Sequence, residues 1–389
     1  MKNTIYFIVT LLILSCKLKK ENKEITNNDK LISSIDSIIN ANYSSTEPGA
    51  AVIITKKGKE IYKNGVGLAN LNLNVAMNSE MIFRIGSITK QFTAVSILML
   101  QEEGRLSIND NIRKHLPTYP KHEQIITIEN LLTHTSGIPD FLGFPEALKI
   151  EQMNLTTNQI VGIFKDKPLE FNPGEQIKYS NSGYNVLGAI VEEVSGMSYE
   201  NFIETKIFQK LNMKSSFYDH PEEIVKNKIS GYTKDSLGYK STSYMTMCAP
   251  FSAGGLRSSI SDLAIWNKAI HNGELIPLKS LSKAFKPFKL KNGTYTDYGF
   301  GWMIHDFLGE KLYHHSGSIL GFRNSAFYFP KEEIYIAILS NNFSSKPSYL
   351  NNIISSVVFN KNIKKPVEIW DKQELKKLFP NLYKKITLN

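Results

Sequence analysis

The sequence predicts a mixed α/β (α+β) fold: one antiparallel sheet built from both chain ends, flanked by helices, with an all-helical inserted domain. Three observations predict it. Short extended runs lie at about 50–66 and again from about 298 onward. The stretch from about 105 to 245 carries mostly helical signals. Ahead of that stretch, a helix starting near Ser87 is apolar on nearly all sides, and a helix of that kind is buried.

The elements follow in order. Leu31, Ile32, Ile35, Ile38 and Ile39 recur at helical spacing and predict a helix over about 30–41. The runs Ala50 to Ile54 and Glu60 to Val66 flank Lys56-Lys57-Gly58-Lys59, as the strands of a hairpin would. The buried helix carries Ile88, Phe92, Val95, Leu98 and Leu100 and stops at Gly104, a residue type favoured just past a helix end. Leu187, Ile190, Val191 and Val194 form one helical stripe. Ser259-Ile260-Ser261-Asp262 reads as a capping box. Tyr298 to Ile304, Lys311 to His315, Arg323 to Phe329 and Ile334 to Leu339 read as a meander of consecutive strands. Leu350, Ile353, Ile354, Val357 and Val358 predict a last helix over about 347–359. The predicted domain therefore covers 31–359, with the helical insertion at about 105–245 and a Lys-rich C-terminal segment at 360–389.

Composition narrows the function classes. With 42% hydrophobic and 21% charged residues, the 389-residue chain is an ordinary globular protein and not a disordered or collagen-like one. Beyond the N-terminus no run of about 20 apolar residues occurs, which excludes a multi-span membrane protein. Lys+Arg 46 against Asp+Glu 36 leaves a formal charge of +10. The lysines are spread along the chain without an arginine-rich stripe, so no nucleic acid partner is expected.

Residues 1–16 read as an export signal: Lys2 is followed by the apolar run Thr4 to Leu14. The run ends in Ile13-Leu14-Ser15-Cys16, which resembles the bacterial lipoprotein box, whose cysteine is lipidated. Two acyl chains on Cys16 would give stable anchoring. Residues 17–30 are polar, as a tether would be. The expected protein is thus an exported periplasmic or cell-surface lipoprotein. Cys248, the other cysteine, is expected to be a packed thiol. No His/Cys/Asp spacing suits zinc, and neither metal nor cofactor is expected.

Ser87-Ile88-Thr89-Lys90 sets a hydroxyl and an amine three apart at the start of the buried helix. Side chains at that spacing are neighbours. A serine hydroxyl needs a base to become a nucleophile, and a desolvated lysine can serve. The helix start also favours a developing oxyanion. A second Ser-x-x-Lys, Ser280 to Lys283, lacks a buried helix. Tyr-x-Asn occurs at Tyr62, Tyr179, Tyr199 and Tyr349, whereas His-Ser-Gly occurs once, at His315-Ser316-Gly317. The order Ser87, Tyr179-Ser180-Asn181, His315-Ser316-Gly317 is the informative feature.

This ordered set resembles the serine β-lactamase and penicillin-binding-protein superfamily. Tyr-x-Asn as the second motif is similar to the branch of class C β-lactamases, D-alanyl-D-alanine carboxypeptidases and related esterases. Phe83-Arg84-Ile85-Gly86, Leu131-Leu132-Thr133-His134-Thr135-Ser136-Gly137, Asn172-Pro173-Gly174 and Ala253-Gly254-Gly255-Leu256 add to the likeness, which spans about 45–345. The resemblance implies that Ser87 forms an acyl-enzyme and that Lys90 and Tyr179 handle its protons, with the base of that pair left open. It implies that Asn181 orients the substrate and Lys90, and that His315, with Ser316, faces a substrate carboxylate. The Ser318 N–H would be the second oxyanion donor. His314 must point away from His315 and is expected to pack, and His134 to fix its turn.

The expected substrate is a small peptide, β-lactam or ester. A neutral His315 in place of a permanent lysine weakens a β-lactamase reading. The preferred expectation is a serine hydrolase of the D-alanyl-D-alanine carboxypeptidase type. An esterase or other amide hydrolase, a β-lactamase and a noncatalytic membrane-tethered sensor of β-lactams or peptides remain alternatives.

Overall fold

Ile334, Ile336 and Ile338 face one way from their strand, and Tyr335, Ala337 and Leu339 face the other. Every residue of that strand, Ile334–Ser340, is buried, so it must lie at the centre of a sheet covered on both faces. The computed structural model describes residues 27–363. Its main sheet has six strands: β1 (Ala50–Lys56), β2 (Lys59–Val66), β3 (Met303–Phe307), β4 (Glu310–Ile319), β5 (Phe322–Phe329) and β6 (Ile334–Ser340). The spatial order is β3-β4-β5-β6-β1-β2, with every neighbour antiparallel. The N-terminal hairpin thus closes onto the C-terminal meander, with Ala50 opposite Ser340.

Two helices cover one face. α1 (Asn27–Asn42) brings Ile35 and Ile39, and the C-terminal helix Pro347–Phe359 brings Leu350 and Ile354. The other face carries the larger core. There α2 (Thr89–Glu102) is buried at every position from Thr89 to Leu100, as a helix apolar all round must be. It ends before Gly104, whose φ of +71° is the left-handed conformation that stops a helix. α3 (Asn181–Ser195) packs against it, capped by the Ser180 hydroxyl, which accepts from the Gly183 N–H at 3.1 Å. α4 (Ile260–His271) sets Trp266 on Phe92, ring centroids 4.0 Å apart. The C-terminal helix, Pro347–Phe359, is α5.

The structure corrects four readings. The insertion is helical only as far as Phe208. It then gives the strand Phe217–Tyr218 and the hairpin Tyr232–Asp235 with Gly238–Ser241, runs too short to show a period of two. The first meander strand begins at Met303 and not at Tyr298, because Gly301, with φ +82°, turns the chain between them. Only half of the capping box forms. Ser259 accepts from the Asp262 N–H, but the Asp262 carboxylate takes the Ser215 N–H and the Ser216 hydroxyl instead. Finally, α1 begins at Asn27, inside the predicted tether.

Cys248 is a free, partly buried thiol packed on the larger core. Cys16, the export signal, most of the tether and the C-terminal segment beyond residue 363 lie outside the described residues. Among the described residues, no helix is long and apolar enough to cross a membrane, and no cluster of His, Cys, Asp and Glu could hold a metal ion.

A second, three-stranded sheet orders Phe83–Arg84, Leu256–Ser258 and Phe217–Tyr218. Buried charge ties it together. Arg84 and Arg257 each donate Nε to one oxygen of Asp219, at 2.7 and 2.6 Å. Burial pushes the Asp219 carboxyl up, but the two guanidiniums override it and hold it below the usual carboxylate range. This sheet delivers the chain from Arg84 into the turn that carries Ser87.

Candidate active site

Gly86–Ile88 forms a short 3₁₀ turn that leads into α2. Gly86 has φ +54°, and a Cβ there would stand 3.0 Å from the Ser318 backbone nitrogen. Only glycine therefore lets the turn lie against β4. Beyond His314 no strand among the described residues pairs with the free side of β4, and the Gly86–Ser87 turn takes that place. Ser87 is the one residue of 81–90 with partial exposure, and it opens into a cleft.

Lys90 is fully buried, one turn along. Its Nζ lies 2.8 Å from Asn181 Oδ1, 2.9 Å from the Ala253 carbonyl oxygen and 3.3 Å from Ser87 Oγ. A neutral amine has two hydrogens and one lone pair. Two donated bonds, to Asn181 and Ala253, leave the lone pair for the Ser87 hydroxyl. Burial drives the Lys90 pKa down to about 7, opposed by the Asp140 carboxylate. Tyr179 completes the group. Its phenol lies close enough to Ser87 for that hydroxyl to act on its pKa, and Lys90 Nζ lies 4.6 Å from the centre of its ring. Burial raises the Tyr179 pKa well above its ordinary value, so the phenol keeps its proton. The structure thus brings Ser87, Lys90, Tyr179 and Asn181 together.

His315 stands differently from the expectation. It is fully buried, with Nδ1 2.6 Å from the Ser316 carbonyl oxygen and Nε2 3.1 Å from the Tyr298 hydroxyl. Burial and the Lys90 charge lower its pKa to about 3, so it is neutral and has both nitrogens engaged. In this geometry the ring has no free donor for a carboxylate. Ser316 is buried, and Ser318 lines the cleft. His314 points to the opposite face and meets His305, Nε2 to Nδ1 at 2.6 Å. His134, at φ +59°, accepts the Ser180 N–H on Nδ1 at 3.2 Å and packs beside the Tyr179 ring, centroids 4.3 Å apart.

Two participants were not anticipated. Asp140 is buried and accepts from Asn181 Nδ2 at 2.9 Å, from the Asn181 N–H at 3.2 Å and from the Leu142 N–H at 3.1 Å. It fixes the amide that faces Lys90. Its signal was its place just after the Thr-His-Thr-Ser-Gly motif. Tyr298 holds His315, and no local pattern marks it. The cleft has Phe141, Leu142, Met245, Pro250, Leu320 and Phe343 in its walls. Its polar side chains are Ser87, Glu151, Asn181 and Ser318.

The Beta-lactamase family model matches residues 36–355. The chain belongs to the β-lactamase family. This β-lactamase-family chain is 32% identical over 307 residues to a penicillin-binding protein of Bacillus subtilis (strain 168), covering 75% of this chain and 67% of the relative. It is 30% identical over 327 residues to protein flp of Staphylococcus aureus (strain N315), covering 81% of this chain and 64% of the relative. The chain thus spans about two thirds of the length of these curated relatives. Among solved structures, the octameric penicillin-binding protein homologue from Pyrococcus abyssi is 31% identical with a TM-score of 0.75, over 90% of this chain and 82% of the other. The D-amino acid amidase from Ochrobactrum anthropi SV3, complexed with D-phenylalanine, is 22% identical with a TM-score of 0.74, over 85% and 99%, and shares the fold.

Proposed function

We propose that the chain is a serine peptidase of the D-alanyl-D-alanine carboxypeptidase type, acting through an acyl-enzyme on Ser87. The carrying observation is the buried amine of Lys90, 3.3 Å from Ser87 Oγ with its pKa near 7. Neutral Lys90 accepts the Ser87 proton as Oγ attacks the scissile carbonyl. The Ser87 and Ser318 N–H groups receive the oxyanion. Tyr179 gives its proton to the leaving amine as the C–N bond breaks, and the proton held by Lys90 restores the phenol. Water then attacks the ester, Lys90 takes its proton, and Ser87 leaves with a proton returned to Oγ. The names of the relatives support a penicillin-reactive site.

A second reading, ester or other amide hydrolysis, draws support from the apolar walls of the cleft, which suit a bulky acyl group. The neutral His315 counts against an efficient β-lactamase. An intact Ser87, Lys90 and Tyr179 count against a sensor that only binds. We also place the protein at the cell envelope, anchored by lipid on Cys16; metabolic labelling with a fatty acid, lost in Cys16→Ala, tests this.

The test of activity uses fluorescent penicillin and an acyl peptide ending D-Ala-D-Ala. Persistent labelling together with D-alanine release, both lost in Ser87→Ala, is expected. Cleavage of p-nitrophenyl esters without D-alanine release would replace the peptidase reading with the esterase one. Labelling that turns over quickly would point to a β-lactamase, and labelling without any hydrolysis to a sensor.

A further inference from the structure

We propose that a second pocket, separate from the Ser87 cleft, binds a tetrahedral dianion of the phosphate or phosphomonoester class through Arg84, Arg257 and Lys228. The proposal is independent of the reaction assigned to Ser87.

The pocket lies where the three-stranded sheet meets the segments 228–231 and 241–245, and Met245 is the one lining residue it shares with the cleft. Arg84 and Arg257 stand opposite each other on neighbouring strands, so their side chains leave the sheet on one face. Like charges so placed repel. Asp219, fully buried, accepts Nε of each, but one carboxylate offsets only one of the two guanidiniums. Their outer nitrogens are not all used. Arg84 Nη2 reaches the Met245 carbonyl oxygen at 3.4 Å, and Arg257 Nη1 reaches that of Ile82 at 3.2 Å. Nη1 of Arg84 and Nη2 of Arg257 have no hydrogen bond among the described residues. Both residues line the pocket although they are only 6% and 4% exposed.

Lys228 adds a third cation to the same lining. Its Nζ donates to the carbonyl oxygens of His220 and Pro221, at 3.0 and 3.3 Å, and to that of Glu223. Carbonyls fix the ammonium without cancelling its charge. Burial lowers the Lys228 pKa and the two guanidiniums add to this, opposed by Asp219 and by Glu223, neither of which lines the pocket. Burial also lowers the Arg257 pKa to about 10, which leaves it charged at neutral pH. Three cations against the one carboxylate of Asp219 leave two positive charges over. A phosphomonoester brings close to two negative charges at neutral pH and three acceptor oxygens, whereas a carboxylate brings one charge and two oxygens. Arginine forks suit such a group. The hydroxyls of Ser230, Thr242 and Ser243 line the same pocket and supply further donors. The depth of the guanidiniums favours a small or terminal phosphoryl group over the diester of a lipid headgroup, which would have to bring two substituents in with it.

The test titrates the full-length protein at constant ionic strength with inorganic phosphate, glycerol phosphate and acetate, followed by calorimetry, and sediments it with phosphatidylglycerol vesicles. Both phosphates should bind with a Kd below about 1 mM, and acetate at least about tenfold more weakly. Phosphate should raise the unfolding temperature of the parent. Lys228→Gln should weaken phosphate binding about 5–20-fold. Ser243→Glu, at an exposed position of the lining, should abolish it by placing a carboxylate in the pocket. Unfolding of each variant without phosphate, matching the parent, excludes misfolding. Ser87→Ala should bind phosphate as the parent does, whichever reaction Ser87 performs. Absence of saturable phosphate binding, or parental affinity in either folded variant, overturns the pocket. So does phosphate that competes with fluorescent penicillin for the Ser87 cleft. Sedimentation with vesicles without binding of free phosphate would replace the pocket with attraction to a membrane surface.

Discussion

Lys90 Nζ donates to Asn181 Oδ1 at 2.8 Å across 91 residues of sequence, joining the first turns of α2 and α3. Asn181 is held in turn by the buried carboxylate of Asp140, so the amine is aimed by a relay of two side chains. Asn181→Asp would put a negative charge beside Lys90 and favour its protonated form. The acid limb of kcat/KM should then move to higher pH, with turnover at pH 7 lower by about tenfold or more. A pH-rate profile on a p-nitrophenyl ester checks this. A profile that stays in place would remove Asn181 from the control of Lys90.

In the parent protein, kcat/KM should rise with pH through about 7 as Lys90 loses its proton. Lys90→Arg keeps its charge at every accessible pH and should cost about 10²–10⁴-fold in turnover. Stability follows the same group. The folded pKa, about 7, lies below the ordinary 10.5. The unfolded chain therefore binds more protons between those values, and Lys90 makes stability climb with pH across that window. Urea unfolding at pH 6.5 and pH 9, compared with Lys90→Met, measures the difference.

Asp219→Asn should leave the buried guanidiniums of Arg84 and Arg257 without their shared anion. Breaking a buried ion pair costs about 3–5 kcal/mol. The held-down carboxyl also makes this contribution present above the unfolded Asp pKa and lost as pH falls through the lower folded value. Chemical denaturation at neutral pH tests the cost. A loss below about 1 kcal/mol would mean that the site relaxes or admits water.

Gly317→Ala would set a Cβ 2.0 Å from the Ile85 carbonyl oxygen. Backbone must move, and the moving strand is β4, which carries Ser318 beside Ser87. Turnover should fall about 10²–10³-fold, the scale of losing one oxyanion donor, with a lowered unfolding temperature. Acylation by fluorescent penicillin at the parental rate would count against this placement of β4.

Much of the fold was legible from residue patterns. The isoleucine alternation of β6, the all-round apolar surface of α2 and the hairpin at 50–66 each declare their own burial. The short strands at 217–218 and 256–258 did not, because two or three residues carry no period. The site was legible in part. Ser87 and Lys90 are one helical turn apart, and the motifs around Tyr179 and His315 marked the stretches that approach them. Asp140 and Tyr298 stayed hidden, since their roles come from partners 41 and 17 residues away.

Local order, the kinds of element and the nucleophile–amine spacing were thus written along the chain, because each depends on neighbours within a few residues. What the amine, the imidazole and the guanidinium do was settled by packing. Burial and the presence or absence of a partner set their protonation: Lys90 near 7, His315 neutral, and Arg323 charged with no carboxylate paired to it among the described residues. Those quantities arise from segments that meet only when the meander closes onto the N-terminal hairpin and α3 docks on α2, and desolvation is a property of that enclosure and not of any single residue type.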